Sequence, residues 1–80
     1  MYYIYILKSL KSGKFYIGWS TDLRKRLREY NSSQSLATKS GIPWELEFYA
    51  SFKTKKLAKG FELYLKSGSG KAFAYKRLLP

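Results

Sequence analysis

The sequence predicts an α+β domain, with a three-stranded antiparallel sheet flanked by three helices in the order β-β-α-β-α-α. Three observations carry this prediction. Two aromatic and β-branched runs, Tyr2–Leu7 (YYIYIL) and Phe15–Trp19 (FYIGW), flank a polar stretch containing Gly13, as the arms of a hairpin do. Trp44–Phe52 (WELEFYASF) alternates apolar and polar residues as a half-exposed strand does. Asp22–Tyr30 and Thr54–Lys66 instead repeat their apolar residues at the helical period. Strands followed by helices that are not interleaved as βαβ units give an antiparallel sheet covered by helices. Eighty residues hold one domain, residues 1–80.

Taken in order, the first strand has Tyr3, Tyr5 and Leu7 on one face and Tyr2, Ile4 and Ile6 on the other. Lys8–Lys14 (KSLKSGK) is a turn too long for a two-residue hairpin loop, so the register stays open, and Tyr5 and Tyr16 are candidate neighbours on one face. Gly18 interrupts the second strand where a backbone bends or a neighbour comes close. Ser20, Thr21 and Asp22 then form a helix start. Leu23, Leu27 and Tyr30 share one helical face, and Arg26 stands one turn from Tyr30. A strand tyrosine and this arginine are thus expected to meet over one edge of the core. Asn31–Pro43 is a long polar connection in which Thr38, Lys39 and Ser40 are either phosphate donors or plain linker. In the third strand Leu46 and Phe48 are expected on one side, with Glu45 and Glu47 facing solvent on the other.

Thr54 caps the next helix, whose apolar face is Leu57, Phe61, Tyr64 and Leu65 with Ala58 at its margin. Gly60 inside it implies either close approach of another element or simple tolerance, at a cost of about 1 kcal/mol relative to Ala. Glu62 lies at the flank of the face, where a carboxylate is either a metal or phosphoryl-chemistry group or a salt-bridged surface acid. Ser67–Gly70 (SGSG) reads as a flexible break, and Lys71–Leu79 as a short basic helix with Phe73 and Leu78 inward.

Sixteen Lys and Arg against five acids give a net charge of +11, which opposes compaction and calls for an anionic partner. Nucleic acid fits best, gripped mainly through phosphates by Lys14, Lys39, Lys71, Lys76 and Arg77. No segment has the long amphipathic pattern of a membrane-surface helix, no apolar run reaches the length of a membrane span, and the N-terminus lacks a signal-peptide layout. These features point to the cytoplasm. The chain has no Cys, which excludes disulfides, thiolate zinc sites and cysteine nucleophiles. It has no His, so the usual proton shuttle near neutral pH is missing and chemistry falls to Tyr, Lys, Arg, Ser, Thr and the acids Asp22, Glu29, Glu45, Glu47 and Glu62. Eight Tyr within a 19% aromatic content exceed what so small a core hides, so some reach a surface or a cleft.

These residues carry a resemblance that covers essentially the whole chain. The ordered motifs are similar to those of the GIY-YIG nuclease superfamily, specifically its small single-domain branch, and to the nuclease module of excision-repair nucleases. Tyr16-Ile17-Gly18 is the second motif intact, and Tyr3-Ile4-Tyr5 is the first with Tyr in place of Gly, a form common in this branch. The family's arginine, eight residues after the motif glycine, falls on Arg26, and its following aromatic or His falls on Tyr30. The family's metal-binding glutamate falls on Glu62 within GFELYLKSGSGKAFAYKRL, a tail typical of the branch. Trp19 stands where a lysine often follows the glycine, and Ala74 where many members have Asn.

The resemblance implies a Mg²⁺- or Mn²⁺-dependent DNA endonuclease with Tyr5, Tyr16, Arg26, Tyr30 and Glu62 as catalytic residues and Glu62 as the metal ligand. A tyrosine serves as proton acceptor once its pKa of about 10 is lowered by cations. Arg26 clamps phosphoryl oxygens through its planar fork. Glu62 holds the ion, and a single carboxylate argues for one metal. Either Tyr5 or Tyr16 is the base. Two other classes compete with the enzyme: a nucleic-acid-binding module without turnover, and a scaffold whose basic face meets a protein.

Overall fold

The computed structural model describes residues 1–32 and 36–79. That part of the predicted long connection formed by residues 33–35 lies outside the described residues. The elements are β1 (Tyr2–Ser9), β2 (Phe15–Ser20), α1 (Leu23–Asn31), the single turn α2 (Leu36–Lys39), β3 (Trp44–Phe52), α3 (Lys55–Lys66) and α4 (Gly68–Arg77). The predicted order β-β-α-β-α-α is present, with α2 added inside the connection. Both strand pairings are antiparallel, and β1 is central in the order β2-β1-β3. No helix among the described residues is long and apolar enough to cross a membrane.

The sheet is covered on both faces, which is why β1 has a near-continuous apolar run and not a one-sided alternation. Ile4 and Ile6 point to one side and pack with Ala58, Leu65 and Ala74 of α3 and α4. Tyr5 and Leu7 point to the other and pack with Tyr30, Leu23 and Leu27 of α1. The split follows the period-2 alternation of the strand. Asp22 begins α1 as its cap, its carboxylate accepting the Lys25 N–H at 3.1 Å. Thr54 caps α3 in the same way through the Leu57 N–H at 3.2 Å.

Several expectations need correction. Leu46 and Phe48 do not share a face. The ladder pairs Ile6 with Phe48 but Leu7 with Leu46, so Glu47 is an extra residue in a β-bulge. An unpaired residue reverses the alternation beyond it, so Leu46 joins the α1 side and Phe48 the α3 side. Glu47 is half-buried there, while Glu45 is exposed as expected. Leu57 is 58% exposed, because α3 turns the Ala58–Leu65 line to the sheet; Tyr64 is also largely exposed. Ser67–Gly70 is not a break. Ser67 closes α3 with its N–H on the Leu63 and Tyr64 carbonyls and caps α4 by accepting the Gly70 N–H. α4 buries Gly70 and Ala74, whereas Phe73 is 38% exposed.

Asn31, the last residue of α1, ties that helix to β3. Its side-chain amide accepts the Trp44 N–H at 2.7 Å and donates to the Trp44 carbonyl at 3.0 Å. The Trp44 indole N–H donates to the Thr38 carbonyl at 2.8 Å. Thr38 is buried by this packing, so it is no phosphate donor, whereas Lys39 and Ser40 are exposed.

Candidate active site

β2 is an edge strand, and the site is built around its open edge. In the register of the hairpin Tyr5 lies opposite Gly18 and Leu7 opposite Tyr16, so Tyr5 and Tyr16 are diagonal neighbours on one face, as the sequence suggested. Gly18 is what permits this. A Cβ there would stand 2.5 Å from the Tyr5 hydroxyl, on a ring too enclosed to swing away. Tyr30 reaches over from α1 and completes the group. Its hydroxyl lies 3.2 Å from that of Tyr5, and its ring meets Tyr5 and Tyr16 edge-to-face at 6.1 and 5.3 Å. Trp44 packs edge-to-face against both Tyr30 and Tyr16, at 6.0 and 6.4 Å.

Arg26, one turn before Tyr30 on α1, projects from one face of the sheet toward the β2 edge, and Glu62 on α3 comes to the same edge from the other. Tyr5, Tyr16, Gly18, Arg26, Tyr30 and Glu62 line one cleft of about 200 Å³, together with Ile17, Trp19 and Lys66. The five catalytic residues expected from the sequence are therefore brought together. Arg26 Nε is 3.3 Å from Glu29 on the solvent side of α1. Exposed pairs at this helical spacing contribute about 0.3–0.5 kcal/mol, so Glu29 does not hold the guanidinium away from an arriving phosphate. Glu62 is 9% exposed, and Lys66 Nζ lies 3.4 Å from its Oε2.

The three tyrosines differ in environment. Tyr5 is only 2% exposed and Tyr16 is 44% exposed. Burial raises the Tyr5 pKa above its ordinary value, and the Tyr30 hydroxyl and the Arg26 cation offset part of that rise. Tyr30 is raised much further, first by burial and then by its contacts with Tyr5 and Tyr16. Burial therefore favours the protonated form of both Tyr5 and Tyr30, and the two hydroxyls share one hydrogen bond. Tyr16 is the hydroxyl of the three that stands open to the cleft.

Among the described residues no three acidic, His or Cys side chains gather as a metal cage. The donor set fits a different kind of site. Mg²⁺ keeps several waters and is commonly held by one or two carboxylates plus substrate oxygens. Glu62, nearly buried in a polar cleft with open volume before it, suits that role.

Sequence reasoning missed Lys66 and Trp44. Lys66 was readable, since it lies four residues after Glu62 on one helix face. Trp44 was not, because its contact with Tyr30 depends on how α1 docks. Lys55 Nζ sits 5.0 Å from the Trp19 ring centre, so α3 places a cation over the residue that stands where lysine often follows the motif glycine. Of the five phosphate-binding residues expected, Lys14 and Lys71 converge on a second cleft between the hairpin turn and α4. Lys39, Lys76 and Arg77 are exposed and line neither cleft.

Comparison with known proteins gives the family. The model of the GIY-YIG catalytic domain matches residues 1–76. The chain is similar to a UPF0213 protein of Streptococcus pneumoniae serotype 4, with 35% identity over 80% of this chain and 65% of that protein. It is also similar to UPF0213 proteins of Clostridium perfringens, with 34% identity over 82% of this chain and 71% of that protein, and of Bacillus licheniformis, with 32% over 88% and 72%. It thus spans about two thirds of the length of the first of these relatives, and somewhat more of the other two. No solved structure matches. The chain belongs to the GIY-YIG catalytic domain family, a family of nucleases.

Proposed function

We propose that this chain is a divalent-metal-dependent DNA endonuclease working with one Mg²⁺ or Mn²⁺ on Glu62. One observation carries the reading: α1 and α3, on opposite faces of the sheet, bring Arg26 and Glu62 into the same edge cleft as the exposed Tyr16. Hydrolysis joins a water oxygen to phosphorus, breaks one P–O ester bond and moves the water proton to an acceptor. Tyr16, the most exposed of the three tyrosines, is the acceptor we assign to that proton. Arg26 Nη atoms bind non-bridging oxygens and hold the phosphorus in line. Tyr5 and Tyr30 keep the wall of the cleft rigid through their paired hydroxyls. Glu62 is the residue that would hold a divalent cation, which when bound would supply Lewis-acid stabilisation of the charge on the phosphoryl group and leaving oxygen.

A nucleic-acid-binding module without turnover is the second reading. The Lys66 contact favours it, since a Glu62 kept by Lys66 leaves a basic cleft that grips phosphate and does no chemistry. Nicking of supercoiled DNA with added Mg²⁺ or Mn²⁺ separates the two. The wild-type chain is expected to nick, and Glu62→Gln to lose nicking while DNA binding holds or rises slightly. Wild-type binding without nicking selects the second reading, and undiminished nicking by Glu62→Gln removes Glu62 from the site.

A further inference from the structure

A second cleft lies beside the one that holds the motif tyrosines. It has about 440 Å³ and lies between the β1–β2 turn and α4, within the size range of small-ligand pockets, about 300–1,000 Å³. Its floor is apolar, formed by Ile6, Ile17, Ala74 and Leu79. One wall is aromatic: Phe15 of β2 and Tyr75 of α4 meet edge-to-face, with ring centres 5.7 Å apart. Tyr75 is 61% exposed, so much of its ring lacks a protein neighbour. The rim is cationic, with Lys14 and Lys71 lining it and Lys8 Nζ 5.8 Å from the Phe15 ring centre.

An apolar floor, an aromatic wall with a free ring and lysines at the rim are complementary to one kind of ligand: a flat apolar ring carrying an anion. A base within a duplex cannot offer its face to such a wall, because both faces are already stacked. An unpaired nucleotide can. The two clefts adjoin, since Ile17 lines both. From Ile17 to Phe15 is two residues along β2, or about 7 Å, so a strand crossing the β2 edge at Tyr16 and Arg26 meets the second cleft close by.

We propose that the α4 cleft receives an unpaired nucleotide of the DNA strand, its base on Tyr75 and its phosphate between Lys14 and Lys71. This gives the catalytic cleft a substrate class, strands with a single-stranded flank, and in that respect rests on the endonuclease reading. Binding at the cleft itself does not require cleavage.

The test is a titration of ¹⁵N-labelled full chain with a thymidine trinucleotide in EDTA. Amide shifts are expected at Gly13, Lys14, Phe15, Lys71 and Tyr75. Tyr75→Ala is expected to bind the trinucleotide about tenfold more weakly, and Tyr75→Phe, which keeps the stacking ring, to bind like wild type. Shifts confined to Gly18, Trp19 and Arg26, or equal affinity in Tyr75→Ala, would overturn the proposal. So would a loss in Tyr75→Phe equal to that in Tyr75→Ala. Because no divalent cation is present, the two readings fail separately. A chain that shows these shifts but never nicks DNA keeps the nucleotide cleft and loses the enzyme. A chain that nicks but shows no shift at the α4 cleft does the reverse.

Discussion

Tyr5, Tyr16 and Tyr30 crowd together, yet their surroundings assign them different work. Tyr5 and Tyr30 share a buried hydroxyl pair, and burial holds both in the protonated form. Tyr16 has the same ring with its hydroxyl open to the cleft. Phenylalanine substitution separates packing from chemistry because it removes only the oxygen. Tyr16→Phe is expected to leave thermal unfolding unchanged and to lower nicking by about 10²–10⁴-fold, the scale of a missing proton-transfer group. Tyr5→Phe leaves the Tyr30 hydroxyl buried without its partner, so it should cost about 1–3 kcal/mol of stability and less activity. Melting curves and nicking rates measured on both variants check this. Normal nicking by Tyr16→Phe would move the proton acceptor elsewhere.

The helices show how far an element can be read from its own residues. The caps Asp22 and Thr54 were legible because a cap is a local contact. The two helical faces that meet the sheet were legible in part. Glu62 and Arg26 followed from motif spacing, but Leu57 looked inward by its period and is outside, since tertiary docking turns the helix toward smaller Ala58. The bulge at Glu47 was invisible, because an extra residue in one strand shows only against its partner. Glycine was legible at Gly18, where Tyr5 comes close, but not on α3 and α4. Gly60 has nothing within 4 Å of a Cβ position, whereas a Cβ on Gly70 would overlap the Tyr64 carbonyl and crowd Leu65 Cα. Opposite effects follow. Gly60→Ala should stabilise by about 0.5–1 kcal/mol through helix propensity. Gly70→Ala should destabilise by about 3 kcal/mol, because the clash is with backbone that cannot step aside. For a domain of this size each kcal/mol moves the melting temperature by about 4–8 °C, so thermal scans resolve both. A Gly70→Ala chain that melts with wild type would mean α3 and α4 do not pack this closely.

At the scale of the whole molecule, charge and size decide how DNA is held. The described residues span 30 × 26 × 18 Å, less than one turn of duplex, which is about 34–36 Å. α1 and α3 form the catalytic cleft and α4 lines the second cleft, so each of the longer helices is already committed to a cleft. Affinity must come from Lys and Arg on phosphates, with Arg26 at the catalytic cleft and Lys14 and Lys71 at the α4 cleft as its core. A footprint of this length engages about 4–6 phosphates. Each neutralised phosphate releases counterions and contributes about −0.9 to the slope of log K against log[salt] on duplex. The expected slope is therefore about −4 to −5, far short of what the sixteen Lys and Arg would give if every cation took part. Charge-reversing Lys71→Glu should make the slope shallower by about 1, while the same change at Lys59, an exposed α3 residue lining neither cleft, should leave it nearly unchanged. Titrations across salt concentrations on random duplexes and on duplexes with single-stranded flanks measure these slopes. Affinity should vary little between sequences and rise with an unpaired flank. A flat salt dependence would mean that phosphate contacts do not hold the complex and would favour a protein partner for the basic surface. A strong preference for one short duplex sequence would require a base-reading element that neither cleft supplies.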